Sequence, residues 1–267
     1  MEQPKNKFKV VTDKKARMIL PNALTLINVC IGLSSIKFAL DAKFELSVIA
    51  IIFAAIFDAL DGRVARLLKG TSLVGKELDS LADVISFGVA PAFIMYFWSL
   101  SNLGKLGWLL SMIYVVCVAL RLARFNASAN LEPSWKDNFF EGIPSPAGGM
   151  LVLMPLVFSL SGINIIDINY NIIVPIFFII ISFLMISKIP TFSFKKIVIQ
   201  RRMTIFVLFG IVLFFGLLLI YTFKVLVFGG LIYFFLIPIS YLNYKKNHKA
   251  KILDEDHNDN EDIEDIL

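Results

Sequence analysis

The sequence predicts an all-α integral membrane protein of about eight transmembrane helices, with both termini on the cytoplasmic side. Three observations predict it. Of the 267 residues, 57% are hydrophobic and 25 are phenylalanine, more apolar surface than a soluble domain of that size has core to hide. The apolar residues gather into segments of about 17–25, the length that crosses the hydrocarbon of a bilayer. The basic residues fall between alternate segments, so that one side of the membrane collects almost all of them.

Taken in order, residues 1–17 carry Lys5, Lys7, Lys9, Lys14, Lys15 and Arg17 without an apolar run. They read as a basic arm lying on anionic headgroups, not as a cleavable signal peptide. Spans follow at about 22–40, 44–66, 77–99, 106–125, 147–163, 170–188, 203–222 and 225–243. With the N-terminus inside, the cytoplasmic segments hold 22 of the 26 Lys and Arg, as the positive-inside rule requires. Lys37, Lys43, Lys105 and Lys224 fall on the other side, and Lys37 reads as snorkelling from the outer end of the first span. The loop 188–202 places Lys195, Lys196, Arg201 and Arg202 among apolar residues, in the manner of an interfacial amphipathic segment. Residues 244–267 form a charged tail, dense in Asp and Glu, that reads as disordered. Cys30 and Cys117 lie in apolar segments without metal-ligand spacing. The formal net charge of +5 follows membrane topology, which argues against a nucleic-acid partner.

The chemistry concentrates between residues 58 and 83. Asp58, Asp61, Gly62, Ala65 and Arg66 share one helix face at i, i+3, i+4, i+7 and i+8. Asp79 and Asp83 are i, i+4 on the next helix, with Gly75 one turn earlier. A turn at Gly70-Thr71-Ser72 lets both helices aim their acids into one gap. Each Asp deep in a bilayer costs about 2.5–3.5 kcal/mol on insertion scales, so four together cost on the order of 10 kcal/mol. Divalent cations held by oxygen offset that repulsion most directly, and the lack of His or Cys nearby favours Mg²⁺ or Mn²⁺ over zinc. Gly62 and Ala65 leave the helix face bare for a nucleotide, Arg66 can fork onto a phosphate, and Ser72 adds a hydroxyl in the turn.

The same residues fill the pattern D-x2-D-G-x2-A-R-x8-G-x3-D-x3-D at every fixed position. That pattern resembles the signature of the CDP-alcohol phosphatidyltransferases, integral membrane enzymes of phospholipid synthesis. The resemblance implies that Asp58, Asp61, Asp79 and Asp83 hold two metal ions, with Asp83 also the general base. It implies contacts to CDP-diacylglycerol from Gly62, Ala65, Arg66 and Ser72, and from Asn22 and Thr25 at the start of the first span. Asn22 reads equally well as a helix N-cap. The implied reaction is attack of an alcohol on the β-phosphorus of CDP-diacylglycerol, with CMP leaving. Family members are typically homodimers in the cell (inner) membrane, with the site facing the cytoplasm.

Two further stretches bear on the acceptor. Arg121-Leu122-Ala123-Arg124-Phe125-Asn126 and the segment 140–149 around Pro144-Ser145-Pro146 resemble motifs of the membrane-embedded phosphatidylserine synthases of bacteria and archaea. The resemblance runs from about 18 to 190, a catalytic membrane domain, and leaves 191–243 as an additional helix pair. It implies L-serine as the acceptor, with Arg121, Arg124, Asn126 and Ser145 around it. Physically, two arginines at i, i+3 can share a carboxylate, although positive-inside anchoring also accounts for arginines at a cytoplasmic helix end. Glycerol 3-phosphate or inositol phosphate is the alternative acceptor. A cation transporter is the alternative of another class, and it would spread its acids over several spans.

Overall fold

In the computed structural model the described residues are 14–68, 70, 72–128, 139–163, 169–187, 189–192 and 203–264. The expected arm therefore lies almost wholly outside them, as do Lys195, Lys196, Arg201 and Arg202 of the amphipathic loop.

Helix α1 (Lys14–Leu40) and helix α2 (Phe44–Leu67) form a long antiparallel pair. Their connection is three residues, with Ala42 in the left-handed region at φ 57° and Lys43 N–H donating to Phe38 O at 2.9 Å. Lys37 does not simply snorkel: it pairs with Asp41 at 2.5 Å on the exposed turn. That hydrogen bond holds the Asp41 carboxyl below the usual carboxylate range. Inside the pair, Ser47 Oγ donates to Ser35 O at 3.0 Å, and both residues are buried. Helix α1 starts well before the expected edge at 22, because Lys14–Met18 continues the helix out of the apolar stretch without a breaker. Asn22 is consequently inside α1, and the N-cap reading of it is corrected.

The next span is one run in three parts: α3 (Leu73–Asp83), a π-helical turn (Val84–Val89) and α4 (Ala90–Trp98). Pro91 supplies no N–H to the carbonyl of Phe87 four residues earlier. The hydroxyl of Tyr114 donates to that carbonyl instead, at 2.9 Å, with both side chains fully buried. Tyr114 belongs to α5 (Lys105–Ser128), which packs along the π turn and against α8 (Tyr170–Ile186). Gly88 allows this approach, since a Cβ there would meet Val118 Cγ1 at 3.3 Å.

The expected span 147–163 is two short helices, α6 (Ser145–Val152) and α7 (Met154–Leu160). The break at Leu153 comes two residues before Pro155, which cannot bond back into the preceding turn. Strands β1 (Phe139–Glu141) and β2 (Pro190–Phe192) make an antiparallel ribbon that closes the α6–α8 segment on itself. Gly142 follows β1 at φ 73°, and its N–H donates to Ile189 O at 2.9 Å. Helices α9 (Thr204–Ile220) and α10 (Thr222–Glu264) complete the chain. Helix α10 packs on α7 and β2, close enough at Gly230 that a Cβ would strike Met154. It runs through Glu264. No Gly or Pro interrupts the chain after Pro238.

Apart from the six-residue ribbon, the described elements are helical. Among the described residues, four helical runs are long and apolar enough to cross a membrane: Ile19–Leu40, Leu73–Trp98, Lys105–Ala127 and Thr222–Leu242. Helix α2 has the length, but its charged residues keep it out of that set. The polarity is inverted relative to a water-soluble fold. Phe183, Ile205, Phe206 and Phe209 are exposed on the outside, while Thr25, Asn28, Asp61, Ser86, Arg121 and Ser145 are buried between the helices.

Candidate active site

Helices α1, α2 and α3 meet around the acids. Asp58 and Asp61 project from the last turns of α2, and Asp79 and Asp83 from the end of α3. One carboxylate oxygen from each of Asp58, Asp61 and Asp79 lies within 4.8 Å of the others. Asp83 lies beside this group, close enough for its carboxyl to interact with those of Asp58 and Asp79. Two carboxylates facing each other repel unless a proton or a cation lies between them. Three oxygens this close, all hard donors, suit a divalent, oxygen-preferring cation.

The site is held by its surroundings. Thr25, buried in α1, donates its hydroxyl to Asp61 Oδ2 at 2.8 Å. Thr25 was assigned above to the nucleotide by resemblance; here its hydroxyl is committed to a carboxylate. Asn22, one turn earlier, places its Oδ1 where a Cβ on Gly75 would lie 3.0 Å away. A side chain at Gly75 would crowd Asn22 and Ser72 where α1 and α3 approach. Ser72 caps α3, its Oγ accepting from Gly75 N–H at 2.9 Å. Gly62 and Arg66 differ from these. A Cβ on Gly62 would meet nothing within 4 Å, and Arg66 is exposed. Together with Ala65 they form the open lip of the site.

The acceptor-side residues are held on α5 and α6. Arg121 is 8% exposed, its Nη1 donates to Ser145 Oγ at 2.5 Å, and its Nε is buried without a partner. Its charge is felt at Asp83, whose Oδ1 is likewise buried and unpartnered. Arg124 is not gathered with it. Its Nη1 donates to Ile186 O at 2.7 Å and closes the C-terminus of α8. Asn126 ties α5 to α3 through Nδ2–Ser80 Oγ at 2.8 Å. The structure thus brings Arg121 and Ser145 to Asp83, and gives Arg124 and Asn126 other partners.

Sequence reasoning missed Asn28. It is fully buried in α1, and neither its Oδ1 nor its Nδ2 has a partner. The signal was present: Asn22, Thr25 and Asn28 recur every three residues in an otherwise apolar span. Ser86 was missed too; its Oγ donates to Asn28 O at 3.2 Å, and it fills the space over Gly32.

The profile of the CDP-alcohol phosphatidyltransferase family matches residues 18–235. The chain belongs to that family. Three relatives bear the name CDP-diacylglycerol–serine O-phosphatidyltransferase. One from Mycobacterium leprae is 46% identical over 145 residues, 54% of this chain and 48% of that protein. One from Helicobacter pylori strain 26695 is 37% identical over 190 residues, 71% of this chain and 78% of that protein. One from Bacillus subtilis is 34% identical over 181 residues, 66% of this chain and 92% of that protein. The chain thus spans about half the length of the mycobacterial relatives it matches. The family match reaches well beyond residue 190, into α10, which sequence motifs alone had left outside the catalytic domain.

Proposed function

We propose that this phosphatidyltransferase moves the phosphatidyl group of CDP-diacylglycerol onto the hydroxyl of L-serine, giving phosphatidylserine and CMP. The observation that carries the reading is the meeting of four carboxylates from α2 and α3 with a buried arginine behind the fourth. The names of the relatives support serine as the acceptor.

Asp58, Asp61, Asp79 and Asp83 hold two divalent ions, Mg²⁺ or Mn²⁺. The chemistry such ions supply is neutralisation of the diphosphate and of charge on the entering and leaving oxygens. The chain's own residues do the rest. The nucleotide lies at the open lip, along Gly62, Ala65, Arg66 and Ser72, with Asn22 beside α3. Serine enters on the α5 side, its carboxylate against the free edge of Arg121, which Ser145 keeps in place. Its hydroxyl oxygen attacks the β-phosphorus, the bond from that phosphorus to the CMP oxygen breaks, and the hydroxyl proton passes to Asp83. A carboxylate is a weak base for an alcohol, and positioning makes up the difference.

The protein spans the inner membrane eight times as a homodimer, both termini and the site facing the cytoplasm; the distribution of Lys and Arg supports that orientation. The test is CMP release from CDP-diacylglycerol in mixed micelles, with serine, glycerol 3-phosphate and inositol phosphate supplied separately. Release that depends on glycerol 3-phosphate or inositol phosphate, and not on serine, overturns the assignment.

A further inference from the structure

Asn28 is absent from every role given so far, yet it is the most anomalous polar side chain near the site. Its amide offers two donor hydrogens and two acceptor lone pairs. None is used, although the residue has no exposed surface. A buried amide left unpaired costs stability, and a ligand that pairs with it would offset that cost.

The register of the helices gives its level. Helices α1 and α2 are antiparallel, pinned by Thr25–Asp61 at one end and by Ser35–Ser47 at the other. Three residues along α1 from Thr25 correspond to three residues back along α2 from Asp61, which places Asn28 level with Asp58. On the other flank, Ser86 bonds the Asn28 carbonyl three residues past Asp83. Asn28 therefore stands at the depth of Asp58 and Asp83. That is about 9 Å deeper than Asn22, at 1.5 Å per helical residue. By the same register Gly62, the deepest residue given to the nucleotide above, stands opposite position 24, about 6 Å nearer the lip than Asn28. What reaches the depth of Asp83 is the acceptor.

We propose that Asn28 is an acceptor-binding residue, its amide holding the small zwitterionic alcohol from the side opposite Arg121. This rests on the serine reading above. The carboxamide accepts from the acceptor's ammonium through Oδ1 and donates to its oxygens through Nδ2. Arg121 holds the carboxylate, and the hydroxyl is left turned to Asp83. A phosphate monoester such as glycerol 3-phosphate has no ammonium to donate, so this residue also discriminates against the phosphorylated acceptors.

The test uses the full-length protein in micelles, with Asn28→Leu as a near-isosteric apolar variant and Asn28→Ala as a second. Measured are thermal midpoint, CDP affinity, the Mg²⁺ concentration for half-maximal activity, and KM for each substrate. The expected result is a serine KM raised by about tenfold or more, with CDP affinity, CDP-diacylglycerol KM and Mg²⁺ requirement within about twofold. The Leu variant should melt at or above wild type, because an unpaired amide has been replaced by apolar atoms. An unchanged serine KM overturns the proposal. So does a Mg²⁺ requirement or CDP affinity that moves with the serine KM, since Asn28 would then serve the ions or the nucleotide. If both variants fail to fold, the amide has a structural partner and the proposal also falls. Wild-type protein that releases no CMP with serine would refute the serine reading itself, and the distinction is visible before any variant is made.

Discussion

Replacing Thr25 by Val removes one oxygen from the wall of the site and keeps the β-branched shape. In the native protein that oxygen donates to Asp61 Oδ2 at 2.8 Å, in a buried setting where water cannot substitute. A hydrogen bond to a charged group contributes about 1.5–3 kcal/mol. Converted at 1.4 kcal/mol per decade, this is about 10- to 140-fold in the affinity of whatever Asp61 binds. Loss of the group that orients a metal-ligating side chain typically lowers metal affinity by about 10–100-fold, an independent figure in the same range. Thr25→Val should therefore raise the Mg²⁺ concentration for half-maximal CMP release by at least about tenfold, with kcat largely restored at saturating cation. The assay is a Mg²⁺ titration at fixed CDP-diacylglycerol, paired with direct measurement of CDP binding. An unchanged Mg²⁺ requirement with weakened CDP binding would refute this reasoning and return Thr25 to the nucleotide.

Asp83→Asn should leave substrate and metal binding within about tenfold while kcat falls by about 10²–10⁴, as for loss of a general base. Asp58→Asn should instead be partly rescued by added cation, and like responses from the two would remove Asp83 as the base. Arg121→Lys cannot both reach Ser145 and present a second donor edge, so the serine KM should rise by about tenfold with CDP-diacylglycerol KM unchanged. Serinol, which lacks the carboxylate, should be a poor acceptor for wild type and little worsened by the substitution. Gly62→Leu has open space for its first carbon, so the protein should fold normally. Its CDP affinity should nevertheless drop more than about tenfold as the lip fills, and wild-type affinity in the purified variant would make Gly62 a packing residue only.

The acids were legible in the sequence because helical spacing and apolar surroundings are both local facts. Four aspartates at i, i+3 and i, i+4 in two neighbouring helices leave few other arrangements, and the structure gathers oxygens of three of them, Asp58, Asp61 and Asp79. The partners of those acids were not legible. Thr25 and Asp61 are 36 residues apart and Tyr114 and Phe87 are 27 apart, so each pair depends on how helices dock. Arg121 and Arg124 looked equivalent at i, i+3, but one turns inward to Ser145 and the other outward to the end of α8. Helix ends were misjudged wherever no breaker marks them, as at Lys14 and beyond Leu242.

The π turn at Val84–Val89 has a consequence for rotational phase. An α-helix advances about 100° per residue, and a π turn accommodates one extra residue without ending the helix. The half of the span that carries Asp79 and Asp83 is therefore offset by roughly one residue's rotation from the half that carries Ala90, Ile94 and Met95 into the core. Chemistry and packing can thus face in directions that a regular helix would not allow together. Winding the same number of residues into a uniform α-helix would swing both carboxylates about 100° away from α2, if α4 kept its seat, whereas deleting one residue between 84 and 89 would give a uniform helix with both halves still in phase. A one-residue deletion here should therefore be tolerated far better than one in the regular helix on either side.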